Sequence, residues 1–94
     1  MNNISTLETY IRKSLKYGID EDEDLKPYIE EGIGYFSKLT QTEIDFENNN
    51  FAKSLLRDYV RYAVNNSVEY FEQNFNFQIL RLQLLEGVND LESK

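Results

Sequence analysis

The residues whose types could do chemistry are concentrated in "DEDEDLKPYIEE", residues 20–31. Asp20, Glu21, Asp22, Glu23 and Asp24 run together. Asp20, Asp22, Asp24 and Glu31 fall at positions 1, 3, 5 and 12 of the loop template that wraps a calcium ion in carboxylate oxygens. The template also needs glycine at position 6 for its sharp turn, where this chain has Leu25, and Pro27 at position 8 removes a backbone donor. A helix start explains the same residues more simply. One Asp accepts bonds from the free N–H groups of the first turn, and its neighbours complement the positive end of the dipole. The segment is read as a helix start, with no metal and no cofactor.

Other chemistry fares no better. The chain has no cysteine and no histidine, which removes thiol nucleophiles, Cys/His zinc sites and every triad built on an imidazole base. Glu30/Glu31 and Glu69/Glu72 are carboxylate pairs, but acid–base work needs a concave apolar site to shift their pKa, and solvated helix faces account for them. Gly32-Ile33-Gly34 lies inside a helical pattern, with no preceding strand and no Lys-Ser/Thr after it, so it is not a phosphate loop. The chain is not expected to be an enzyme.

Ninety-four residues, 40% hydrophobic and including seven Tyr and six Phe, suffice for one modest core. The net charge of −7 is uneven: residues 1–19 carry +2, 20–47 carry −8 and 48–94 carry −1. That balance disfavours long-range attraction to nucleic acid or to an anionic membrane. No apolar run approaches the ~20 residues of a membrane span, and the first residues lack the apolar stretch of a signal peptide. A protein made and kept in the cytoplasm is expected.

The elements that position these residues read as helices. Ser5-Thr6-Leu7-Glu8 is a capping box ahead of Leu7, Tyr10, Ile11 and Leu15, and Gly18 would close that helix. A second helix follows the acids, with Pro27 in its first turn and Leu25, Ile29, Gly32, Ile33 and Phe36 inward; Gly32 would let another helix approach closely. "TQTEIDFENNN" is a connection whose Ile44 and Phe46 could reach the core. A long third helix is expected over about 50–73, with Ala52, Leu55, Leu56, Tyr59, Ala63 and Tyr70 inward.

Two stripes on these helices point to a partner. Lys53, Arg57, Arg61, Val64 and Val68 form a ridge on the third helix, away from its inward face. Arginines mixed with valines suit an interface, though the valines could equally flank a broad core. The ridge poses a puzzle, because Arg57 and Arg61 precede Glu69 and Glu72, the order that opposes a helix dipole. A neighbouring subunit's acids could offset that.

The fourth helix, about 75–86 and ending at Gly87, has Phe75, Ile79 and Leu82 on one face and Phe77, Leu80 and Leu84 nearly opposite. A surface helix needs one apolar stripe. Two opposed stripes imply burial on both sides, within the monomer or, as so small a domain favours, against another chain; period-two alternation leaves a strand as the competing reading. The expected architecture is all-α: a four-helix bundle-like single domain over residues 1–88 with a long central third helix, and a flexible tail over 89–94.

Three stretches then carry a resemblance: "LETYIRKSL", "DEDEDLKPYIEEGIGYFSKLT", and "IDFENNNFAKSLLRDYVRYAVNNSVEYFEQNFNFQILRLQLLEG". Over about residues 4–88 the chain resembles the small head–tail connector (head-completion) family of long-tailed bacteriophages. The shared pattern is an acidic helix start, Leu-x-x-Tyr-Ile, a small residue, an aromatic and "LT", then a long helix, "NF" and a Leu-rich last helix. Gly32 and Gly34 depart from it. The resemblance implies a helical structural subunit of the virion, assembled in the bacterial cytoplasm into a ring of about 12–13 copies beneath the portal protein. DNA would pass through its channel without specific binding, and a tail or stopper protein would dock below. No cofactor or catalysis is implied. Rival readings are a small acidic DNA mimic, whose carboxylates should then be spread along one face, an adaptor for a host or phage protein, and an acid-coordinated magnesium enzyme.

Overall fold

The computed structural model describes residues 2–15, 20 and 22–92, with side chains through residue 87. Five helices follow one another: α1 (Ile4–Ser14), α2 (Lys26–Thr40), α3 (Asn50–Val64), α4 (Val68–Asn74) and α5 (Asn76–Glu92). No strand occurs among the described residues, so the chain is all-helical and forms one domain.

Local chemistry sets the ends of these helices. Asn3, not Ser5, caps α1: its side chain accepts from the Thr6 N–H at 3.1 Å, which leaves Ser5 inside the first turn and dissolves the expected box. Leu7 and Ile11 are its buried residues, and Arg12 and Lys13 lie in its last turn, where their charge suits the dipole. The expected cap at Gly18 falls outside the described residues. The cap position of α2 falls to Leu25, which makes no side-chain cap bond, and not to one of the acids as expected; Asp24, one residue earlier, accepts from the Lys26 N–H at 3.1 Å. Pro27 sits in the first turn, where its missing donor costs no intrahelical bond. Gln41 ends α2 in the left-handed region, at φ 56°.

The long third helix is instead two helices. Asn66 adopts φ 56°, its N–H reaches the Ala63 carbonyl at 3.0 Å, and the Ser67 N–H reaches the Tyr62 carbonyl at 2.8 Å. This pair of bonds is the Schellman closure, with Asn in the position glycine usually fills. Asn tolerates left-handed backbone because its short side chain bonds locally. The closure ends α3, and α4 starts afresh at Val68. α5 in turn does not stop at Gly87. That glycine keeps a right-handed conformation, and the helix runs on to Glu92, into the stretch expected to be a tail. A glycine ends a helix only where the chain turns left-handed; elsewhere it weakens the helix by about 1 kcal/mol.

The helices enclose a core of Leu7, Ile11, Leu25, Ile29, Phe36, Ile44, Phe46, Ala52, Leu55, Leu56, Tyr59, Val60, Phe71, Ile79 and Leu82. α2 packs against α1, α3 and α5. Its closest approach to α3 is at Gly32, where an added Cβ would lie 2.6 Å from Leu56 Cδ1 and 3.0 Å from Tyr59 Cδ1. Ile44 and Phe46 are buried because Asn2 pins the connection beneath α1. Its amide donates to the Ile44 carbonyl at 2.8 Å and accepts from the Phe46 N–H at 2.7 Å. Phe71 takes the inward place expected of Tyr70, since restarting the helix at Val68 rotates the register.

Candidate interaction surface

α5 lies along α2, α3 and α4 with Ile79, Leu82 and the buried Glu86 turned towards them. Two polar contacts fix its rotation: Gln83 Nε2 donates to the Leu39 carbonyl at 3.1 Å, and Asn49, the cap of α3, donates to Glu86 Oε1 at 3.3 Å. Glu86 therefore places a carboxylate beside the positive end of α3. With this face fixed, the 100° advance per residue leaves the opposite stripe outward. Phe77 is 83% exposed, Leu80 48%, Leu84 71% and Leu85 44%. The helix is thus apolar on both sides, and nothing among the described residues covers the outer one.

The ridge expected on α3 is differently placed. Val64 and Val68 belong to separate helices, and both are half-buried against the core. Arg57 donates from Nε and Nη2 to the two oxygens of Asp58, each at 3.3 Å, and Arg61 Nη2 lies 3.5 Å from Asp58 Oδ1. Arg61 also lies over the Tyr62 ring, and Lys53 over the Tyr10 ring. The break at Asn66 removes half of the dipole puzzle: Arg61 stands in the last turn of α3 and Glu69 in the first turn of α4, each where its charge is favoured, while Glu72 still stands in the last turn of α4. Only Arg61 of the two arginines is exposed to any large extent.

The acidic segment is spread rather than gathered. Asp20, Asp22 and Asp24 are exposed and Glu23 is half-buried, while Glu21 lies outside the described residues. The Glu23 carbonyl accepts from Arg12 Nη2, and its carboxylate accepts from the Tyr28 hydroxyl at 3.4 Å. No group of three or more acidic side chains among the described residues is placed to hold a metal ion.

A tyrosine pair escaped the sequence reading. Tyr35 and Tyr59 stack with ring centres 5.1 Å apart, and the Tyr59 hydroxyl donates to Glu31 Oε1 at 2.6 Å. Burial first, then the Glu72 carboxylate, pushes Tyr35 up to about 12. Burial and Glu31 push Tyr59 upward as well. Both phenols stay protonated at neutral pH, and Tyr59 uses its proton to hold Glu31.

The chain matches no protein-family model, no curated protein and no solved structure. Its surface chemistry is therefore the guide. The arrangement offers an apolar helix face, paired or solvated charges and locked phenols, which suits packing against another protein. Leu85 was missed because it stands at the edge of the outer stripe beyond Arg81, and Tyr70, 57% exposed, because the helix break was not foreseen. Among the described residues no helix is long and apolar enough to cross a membrane.

Proposed function

We propose that this chain is a structural assembly subunit that works by laying the outer face of α5 against other proteins, and that its setting is the head–tail connector of a long-tailed bacteriophage. The observation that carries the first part is the stripe of Phe77, Leu80, Leu84 and Leu85, exposed although the core is already closed behind it. Contiguous exposed apolar surface marks an interaction site in a stable fold. The second part is supported by the sequence pattern over residues 4–88. In this reading copies form a ring of about 12–13 beneath the portal, and a tail or stopper protein docks below. Exposed Asp20, Asp22 and Asp24 suit a channel from which DNA must be repelled as it slides.

Electron microscopy of the chain mixed with phage portal proteins tests this. Rings capping the portal are expected, and Leu84→Glu should abolish them. A chain that leaves the portal bare at every ratio would count against the connector reading.

A further inference from the structure

The outer face of α5 contains the exposed large apolar side chains described in this protein, except for Tyr70 on α4. With ~200 Å² for a fully exposed aromatic side chain and somewhat less for leucine, the exposed fractions leave on the order of 450 Å² of apolar surface there. A standard interface covers ~800 Å² on each partner, and ~56–65% of that is apolar. The stripe therefore matches the apolar share of one standard interface.

Charge narrows the occupant. Two copies of a chain carrying −7 repel each other at most approaches. Residues 73–85 contain no acid and a single base, Arg81, whose guanidinium lies over the Phe51 ring with its carbon 5.1 Å from the ring centre. Gln78 and Asn76 flank the stripe and are neutral donors and acceptors. Over residues 73–85 the stripe therefore carries no carboxylate of its own to oppose another copy, with Glu72 and Glu86 at its two ends.

The symmetry follows from what is missing elsewhere. A head-to-tail contact sets the stripe against a different surface, and among the described residues the one other strongly exposed large apolar side chain is Tyr70, so a second copy's own stripe is the largest apolar match on offer. A surface whose match is itself makes an isologous contact. Positions 77, 80 and 84 also follow the spacing with which paired helices seat side chains in each other's gaps.

We infer that two copies of this chain pair through α5, stripe against stripe about a two-fold axis, whenever no other partner covers that face. This goes beyond the connector reading, in which neighbours meet head to tail. The two-fold pair is the form of the free chain, and a docking partner must displace one copy to reach the other.

Sedimentation velocity over roughly 1–200 µM, the range in which standard-size interfaces of modest affinity dissociate, tests the pairing. The mass is expected to rise from 11.2 kDa to twice that value. Leu84→Glu should hold the chain at the single mass throughout and melt with the parent at dilutions where the parent is unpaired, because this side chain stands outside the core. The chain has no cysteine, so Leu80→Cys and Leu84→Cys introduce single thiols. A short bis-maleimide should join copies of both variants and leave Lys13→Cys, exposed on α1, unjoined. A single mass at every concentration, a pair that survives Leu84→Glu, or equal joining at Lys13 would overturn the inference. A ring-sized species would also overturn it while favouring the connector reading.

Discussion

Gly32 and Gly34 stand two residues apart in one helix, and alanine should act on them with opposite sign. Anywhere in a helix interior, Gly→Ala gains about 0.5–1 kcal/mol from reduced freedom of the unfolded chain. At Gly34 nothing lies within 4 Å of the added Cβ, so that gain is the whole effect. At Gly32 the Cβ arrives 2.6 Å from Leu56 Cδ1 and 3.0 Å from Tyr59 Cδ1, well inside contact distance. Neither neighbour can yield freely. Leu56 has no exposed surface, and Tyr59 is held by its bond to Glu31. Overpacking of this kind costs about 1–3 kcal/mol, which leaves Gly32→Ala about 1–2 kcal/mol less stable after the helix gain.

For a domain of this size those changes move the melting temperature by about 4–8 °C per kcal/mol. Circular dichroism at 222 nm should therefore show Gly34→Ala melting a few degrees higher and Gly32→Ala roughly 4–16 °C lower. Leu56→Ala should remove the clash, so a double-mutant cycle should show Gly32→Ala costing less in that background. Equal stabilisation by both alanines would refute the close approach of α2 and α3.

Three further outcomes follow from the helix ends and the phenols. Asn66→Ala should lose about 1 kcal/mol in urea denaturation, the cost of left-handed backbone, whereas Asn66→Gly should stay near the parent; equal losses would contradict the Schellman closure. Gly87→Ala should gain several tenths of a kcal/mol and add helical signal, because α5 continues through that position; a loss would mean the helix ends there. Burial holds Tyr35 protonated up to about 12 in the folded chain, above the ordinary tyrosine value of 10.0 that it has when unfolded. The proton it retains therefore supports the fold fully below pH 10, and that support is lost as pH rises from there towards 12. Urea midpoints should fall across that window, and fall less in Tyr35→Phe; a decline of the same steepness in both would assign it to other groups.

Helical periodicity made much of this fold legible. Leu7, Ile11, Ile29, Phe36, Leu55, Leu56 and Tyr59 are inward at the spacing read from the sequence, and Gly32 is the close approach. The two-sided pattern of α5 was equally plain, because each stripe repeats at the helical period. The break in "AVNNSVE" was hidden: apolar residues continue on both sides of it, and a left-handed Asn is set by two backbone bonds that composition does not encode. The arginine ridge was misplaced for the same reason, since it was drawn on one helix where α3 ends at Val64 and α4 begins at Val68. Glu86 looked like a surface acid, and only the packing of α5 on the start of α3 turns it inward. The tyrosine–glutamate pairs join α2 to α3 and α4, so no local pattern could announce them.

The two faces of α5 answer to different selective pressures. Substituting an inner residue such as Leu82 costs the fold about 2–5 kcal/mol, while an outer one such as Leu84 costs it about 0.5 kcal/mol or less. The outer face is therefore free to drift in step with whatever it touches, without passing through misfolded intermediates. Lineages of this chain should hold positions 79, 82 and 86 nearly constant and vary 77, 80, 84 and 85 together, as one block that tracks a change of partner. A helix built this way lets a lineage exchange its docking specificity at almost no thermodynamic risk to the domain that carries it.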